Sequence, residues 1–276
     1  MGFSKLAWVE GKKIFSQREL YIALFLCTVL FVMSLNAVTA SSQSIVFWQE
    51  MASVMPYMGY MLIAVTVVVG VSRCMAFERE QEMEELLVTY KGGRVQLLAV
   101  KQFVLFLFCV SIVLFYYGIA SIVLLAYASP AGLFAQMGES APNYLNPNPN
   151  WTFAKFIILE GGYMVLASYI FALFVFLLSL FIKRSVFIMM TASGVFALGE
   201  LCEKYIFSWI QTVPGIHNLV YGYRYGLNGM MSFEYLQVYV PFSKTGVLLL
   251  FLCLAAGLFT VNLILGRRRI DVALGN

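Results

Sequence analysis

One histidine and one aspartate in 276 residues leave this sequence short of the side chains that build most catalytic and metal centres. His217 alone excludes paired-histidine zinc motifs, and Asp271 stands near the end of the chain, far from any second aspartate. No Gly-x-x-x-x-Gly-Lys-Ser/Thr loop and no Gly-x-Gly-x-x-Gly is present, which excludes nucleotide binding by those two routes. Charge is scarce as well, at 12% of residues, about half the share in soluble domains. The five cysteines, Cys27, Cys74, Cys109, Cys202 and Cys253, are scattered singly and never spaced Cys-x-x-Cys. They read as small apolar residues rather than ligands or disulfides.

What is abundant is apolar: 61% of residues, with 16% aromatic. A water-soluble fold of this length has no interior large enough to hide so much, whereas a bilayer is itself an apolar solvent. Six apolar runs stand out, at 20–38, 52–72, 103–127, 156–182, 186–201 and 246–265. Most reach the ~20 residues that a spanning helix needs. Pro56 is tolerated near the start of the second. The first run exceeds the h-region of a cleaved signal peptide and is expected to be a spanning helix. The expected fold is therefore an all-α membrane protein with six transmembrane helices in one domain, residues 1–276.

Lys and Arg set the expected orientation through the positive-inside rule. With the first residues inside, fourteen of the eighteen bases fall in inner segments; Lys155, Lys204, Arg224 and Lys244 fall outside. Both ends are then cytoplasmic. Residues 3–17 form an amphipathic stretch, with Phe3, Leu6, Ala7 and Ile14 at helical spacing, expected to lie along the inner membrane surface. The outer loop 128–154 is irregular and proline-rich. The outer segment 202–244 is too apolar for a plain loop, and its tyrosines and glycines predict short re-entrant or interfacial helices.

Two carboxylates bear on a pathway. Counting ~1.5 Å per residue puts Glu200 roughly 24 Å up the fifth helix, still inside a hydrocarbon core of ~30 Å. The same count puts Glu160 roughly 35 Å up, at the outer interface. Glu200, with Glu203 nearby, is the candidate polar point of a translocation path. An i, i+4 pair of Glu200 with Lys204 is the plainer alternative.

The inner loop from Arg73 to Lys101 carries the most specific pattern. Met83, Leu86, Leu87 and Tyr90 form one apolar stripe; Glu78, Glu82 and Glu85 form an acidic one; Lys91-Gly92-Gly93 ends the helix. The apolar stripe needs a cover. Anionic lipid repels the acidic stripe, so a protein partner fits better.

With Glu78-Arg79-Glu80, Glu85-Leu86-Leu87, Arg94 and Lys101 in that order, preceded by an amphipathic leader, the chain resembles the type-2 ABC exporter permeases. It departs from their pattern at Met83-Glu84, where Gly-Thr is usual, and at Tyr90, where Pro is usual. The resemblance implies a permease subunit that pairs with a second copy or a sister chain. It also implies that a separate ATP-binding cassette subunit docks on a coupling helix at 77–90, at Phe77, Glu78, Glu82, Met83, Glu85, Leu86, Leu87, Tyr90 and Arg94. ATP and Mg would belong to that partner. This chain itself is expected to hold no cofactor and to be no enzyme, and the expected place is a bacterial plasma membrane. The export substrate would be a hydrophobic or amphipathic peptide, lipid or drug. Three other classes remain: an ion-coupled secondary transporter, an immunity or sensor subunit on an ABC scaffold, and a membrane enzyme, for which no nucleophile–base pair is seen.

Overall fold

The computed structural model describes residues 3–41, 47–80, 94–137, 151–201 and 244–273. Among these residues the chain is helical, apart from breaks at 16–17 and 182–184, turns at 126–137 and one isolated bridge between Gln136 and Thr152. Helix α1 runs Phe3–Phe15, α2 Arg18–Ser41, α3 Phe47–Val54, α4 Tyr60–Glu80, α5 Arg94–Leu125, α6 Phe153–Phe181, α7 Ser185–Leu201 and α8 Lys244–Ala273.

Among the described residues, four helices are long and apolar enough to cross a membrane: Arg18–Asn36, Val95–Leu125, Phe153–Phe181 and Leu248–Arg268. Tyr60–Cys74 and Ser185–Ala197 are shorter apolar helices. The surface makes the same point as the lengths. On α2, Tyr21, Ile22, Phe25, Leu26, Val29, Leu30 and Met33 are exposed and recur along one side; Leu248, Leu249, Leu250 and Leu252 are exposed on α8. In water such continuous apolar faces drive aggregation; in lipid they are solvated. The protein is a multi-pass membrane protein.

α6 is the hub of the bundle and packs against α4, α5, α7 and α8, while α2 leans on α4 and α5. The apolar window of α6 is 61% buried and that of α8 only 17%, so α6 is a core helix and α8 a peripheral one. The Thr152 side chain caps α6 by accepting from the Lys155 backbone N–H at 3.3 Å. At its other end, Lys183 and Arg184 make the tight turn expected before α7.

Lipid offers no hydrophobic drive between apolar helices, so close packing and interhelical hydrogen bonds hold them together. Asn262 of α8 is fully buried; its Nδ2 donates to the Leu173 carbonyl of α6 at 3.1 Å and to Gln102 Oε1 of α5 at 3.5 Å. The hydroxyls of Thr66 on α4 and Tyr116 on α5 lie 3.1 Å apart. Far along the chain from these, Trp48 Nε1 donates to the Pro130 carbonyl at 2.8 Å.

Several boundaries differ from the sequence reading. The second apolar run belongs to a helical stretch that starts at Phe47, with a π turn at Met55–Gly59 between α3 and α4. Pro56 brings no backbone N–H, and the Tyr60 N–H reaches back to the Met55 carbonyl across that wide turn. α4 continues to Glu80, so residues 77–80 extend a bundle helix instead of opening a separate one. α5 starts at Arg94, nine residues before the apolar run at 103. On α1, Leu6 and Ile14 face the bundle. Cys27 and Cys109 are buried, but Cys253 is exposed on α8. Segment 202–243 lies outside the described residues.

Gly70 sets how closely α4 and α5 approach. A Cβ built there would sit 2.5 Å from Cζ of the fully buried Phe108 ring. Gly70→Ala is therefore expected to destabilise the bundle by about 1–3 kcal/mol, the usual cost of overpacking. The melting midpoint in detergent should fall, and Phe108→Leu in the same chain should restore part of it.

Candidate functional site

At the end of the bundle where α1, the start of α2, the end of α4 and the start of α5 meet, two lysines and two glutamates come together. Lys101 on α5 is fully buried, Glu78 on α4 is 1% exposed and Glu10 on α1 is 3% exposed. Lys101 Nζ donates to Glu10 Oε2 at 2.7 Å, to Glu78 Oε1 at 2.7 Å and to the Cys74 carbonyl at 3.3 Å. All three of its protons are used. Lys13 Nζ, on α1, donates to Glu10 Oε1 at 2.7 Å and to Glu78 Oε1 at 2.8 Å. The quartet is electrically neutral, which offsets the cost of taking Lys101, Glu10 and Glu78 out of water, while Lys13 stays half-exposed. Glu78 Oε2 is buried and accepts no hydrogen bond among the described residues.

Geometry explains why these four residues meet. Glu10 falls between Leu6 and Ile14 at i, i+4 and i+8, so the helical repeat puts it on the buried face of α1. Lys101 stands in the first two turns of α5, where α1 packs. A second ion pair, Arg73 Nη1 to Glu19 Oε2 at 2.6 Å, joins α4 to α2 beside the quartet. Between these groups is a cavity of about 280 Å³, whose lining includes Ile14, Gln17, Arg18 and Cys74.

The ionisation of the leader residues follows from these contacts. Burial pushes the Glu10 carboxyl up, but the charge and hydrogen bond of Lys101, helped by Lys13, hold it below the ordinary carboxylate value. Burial and the Lys101 charge push Lys13 down, yet Glu78 and Glu10 leave it raised. A depressed carboxyl gives stability that is present above its unfolded pKa and lost as pH falls through the folded one. A raised ammonium gives stability that is lost as pH rises through its folded value. Docking of α1 should then be flat across the neutral range.

The sequence-predicted residues are placed unevenly. Glu78, expected on the acidic stripe of the inner loop, is buried against two lysines. The backbones of Phe77 and Arg94 end α4 and begin α5. Glu82, Met83, Glu85, Leu86, Leu87 and Tyr90 lie outside the described residues, as does Glu203. Glu200 belongs to the last turn of α7. Glu160, counted to the outer interface, is fully buried two turns into α6. Tyr117 donates its hydroxyl to Glu160 Oε2 at 3.2 Å. The count from Lys183 measured height along the helix and was blind to neighbours on α5.

Glu10 and Lys13 were missed as site residues. The signal was available: a single acid on the apolar stripe of an otherwise basic leader, and a lone lysine just ahead of the apolar run of α5. No group of three His, Cys, Asp or Glu that could hold a metal occurs among the described residues. The four side chains tie α1, α4 and α5 together.

Lys101→Met leaves two carboxylates facing a single half-exposed lysine and is expected to cost about 3–5 kcal/mol, as for other broken buried ion pairs. Lys101→Met with Glu78→Met removes one charge of each sign and should cost less. Hydrogen exchange over residues 3–15 is the readout: fast in the single variant, slower in the double. In the wild type, the same exchange should rise only below the ordinary carboxylate range or above the ordinary lysine range. No family model and no curated protein matches the chain, so its functional reading rests on the chemistry of this site.

Proposed function

We propose that the chain is the permease subunit of an ATP-driven ABC exporter in a bacterial plasma membrane. In this reading it crosses the bilayer six times with both ends in the cytoplasm. The four long apolar helices and the two shorter ones support six crossings, and the distribution of lysine and arginine supports the orientation. The chain pairs with a second permease subunit and docks a separate ATPase through residues that follow α4. Its substrate is a hydrophobic or amphipathic molecule: a peptide, a lipid or a drug.

The buried quartet is the observation that carries this proposal. Glu78 and Lys101 flank residues 81–93, one at the end of α4 and the other near the start of α5, and their ion pair is 2.7 Å long. Lys13 and Glu10 bind both to α1. A push delivered to the intervening segment then reaches two membrane helices and the leader as one body. A loose loop would absorb it.

The test is to co-express the chain with ATP-binding cassette proteins and isolate it. An ATPase should co-purify. Leu86→Ala with Leu87→Ala should weaken that association more than Glu82→Gln does. Each large apolar side chain contributes about 1.5–3 kcal/mol when fully buried, against about 0–1 kcal/mol for an exposed charge pair. Failure of any such ATPase to co-purify, with transport intact, would sink the proposal.

Glu160 favours a second reading, that of an ion-coupled secondary transporter. A carboxylate buried within an apolar helix marks ion or proton pathways in many membrane proteins. Transport that collapses with the ion gradient and is lost in Glu160→Gln would favour this reading; gradient-independent transport would exclude it.

A further inference from the structure

The quartet has a consequence for the other side of α1. Between Phe3 and Arg18 the only carboxylate is Glu10, and Lys101 holds it inside. The exposed side of the leader is left with Lys5 and Lys12, followed by Arg18. No acid of the leader remains on that side to offset them. Aromatic residues stand among these bases: Trp8 is 68% exposed and Phe15 40%. Lys12 Nζ lies 5.4 Å from the centre of the Trp8 ring. Immediately after the leader, Tyr21, Ile22, Phe25 and Leu26 continue as an exposed apolar face on α2, which in a membrane protein faces lipid.

We infer that the exposed face of α1 is a docking surface for anionic phospholipid. Exposed rings of Trp and Phe suit the headgroup boundary, and lysines beside them are attracted to anionic lipid. Arg18 makes no ion pair among the described residues and lines the cavity between α1, α2 and α4. Neighbouring Arg73 is engaged by Glu19, and the same cavity is lined by Glu10 and Glu78, so of the two arginines Arg18 is the one left to meet a lipid phosphate. The internalised Glu10 thus has two effects. It fastens α1 to the bundle, and it removes from the exposed side of α1 a charge that would repel an anionic leaflet, while Glu19 at the start of α2 is held by Arg73. The inference rests on the proposed function only for which leaflet this is.

The experiment uses the full chain in nanodiscs of phosphatidylcholine containing a minor fraction of phosphatidylglycerol. Trp48, Trp151 and Trp209 are replaced by Phe, so that Trp8 alone reports, and bromine is placed on the acyl chains of one lipid or the other. At equal mole fraction, brominated phosphatidylglycerol should quench Trp8 more strongly than brominated phosphatidylcholine. The preference should fall about fivefold for each base removed in the series Lys5→Gln, Lys12→Gln, Arg18→Gln, given about 1 kcal/mol per base near an anionic surface. Raised salt should weaken it further. Equal quenching by the two lipids, or none by either, would overturn the inference.

Should the three Trp replacements prevent folding, native mass spectrometry of the otherwise wild-type chain, released from the same nanodiscs, serves in their place. Phosphatidylglycerol should be retained over phosphatidylcholine, and the triple Gln variant should lose that preference. Displacement of the lipid by inorganic phosphate alone would also overturn it, by showing a simple anion site. None of these readouts involves an ATPase, so a negative result here leaves the permease proposal standing, and the converse holds as well.

Discussion

Lys101 carries an ammonium group with no access to water, and the end of the bundle around α1 is arranged to satisfy it. Desolvating one such charge without partners costs several kcal/mol. The three protons of Lys101 therefore find two carboxylates and a backbone carbonyl, drawn from α1 and α4. Lys13 then balances the second negative charge. Once this neutral set has formed, the position of α1, the end of α4 and the start of α5 are no longer independent of one another. Removing any one partner would leave a buried charge uncompensated, so the junction is far stiffer than a contact made by exposed pairs.

That stiffness gives the proposed coupling role its physical content. A membrane helix in lipid is held to its neighbours by packing and by a few polar contacts, such as Asn262 to Leu173 and Gln102, or Thr66 to Tyr116. These contacts locate the helices laterally. The quartet does something further, because it joins elements on both sides of a connecting segment. Force applied between α4 and α5 is thereby shared with the leader. The same chemistry leaves α1 with two unlike faces: one buried and acidic at its centre, the other exposed, aromatic and basic.

Much of the fold was legible in the sequence because hydrophobic length is a one-dimensional property. The runs beginning at Leu20, Phe103, Phe156 and Gly246 each overlap a long apolar helix of the structure. The Lys183–Arg184 turn was visible for the same reason, as two charges between two apolar runs. Helix ends were less legible. α4 runs through Phe77 and Glu78 to Glu80, and α5 already begins at Arg94; Glu78 and Lys101 near these ends pair with one another and need not stay in water. Glu78 was singled out for its place in an acidic stripe, yet its side chain turns inward to Lys13 and Lys101.

The sequence by itself determined that this protein lives in a membrane as a bundle of helices. Too few charges and too many apolar residues leave no other solvent able to accept its surface. It also marked the stretch from Arg73 to Lys101 as the one with unusual charge. Only the tertiary structure decided which charges are partners. Glu10 and Lys101 are ninety-one positions apart, and no local periodicity connects them. Glu160 likewise looks, along its own helix, like a residue near the end, and only α5 beside it supplies Tyr117. Periodicity reports which face of a helix a residue occupies; what lies against that face is set by how the helices pack.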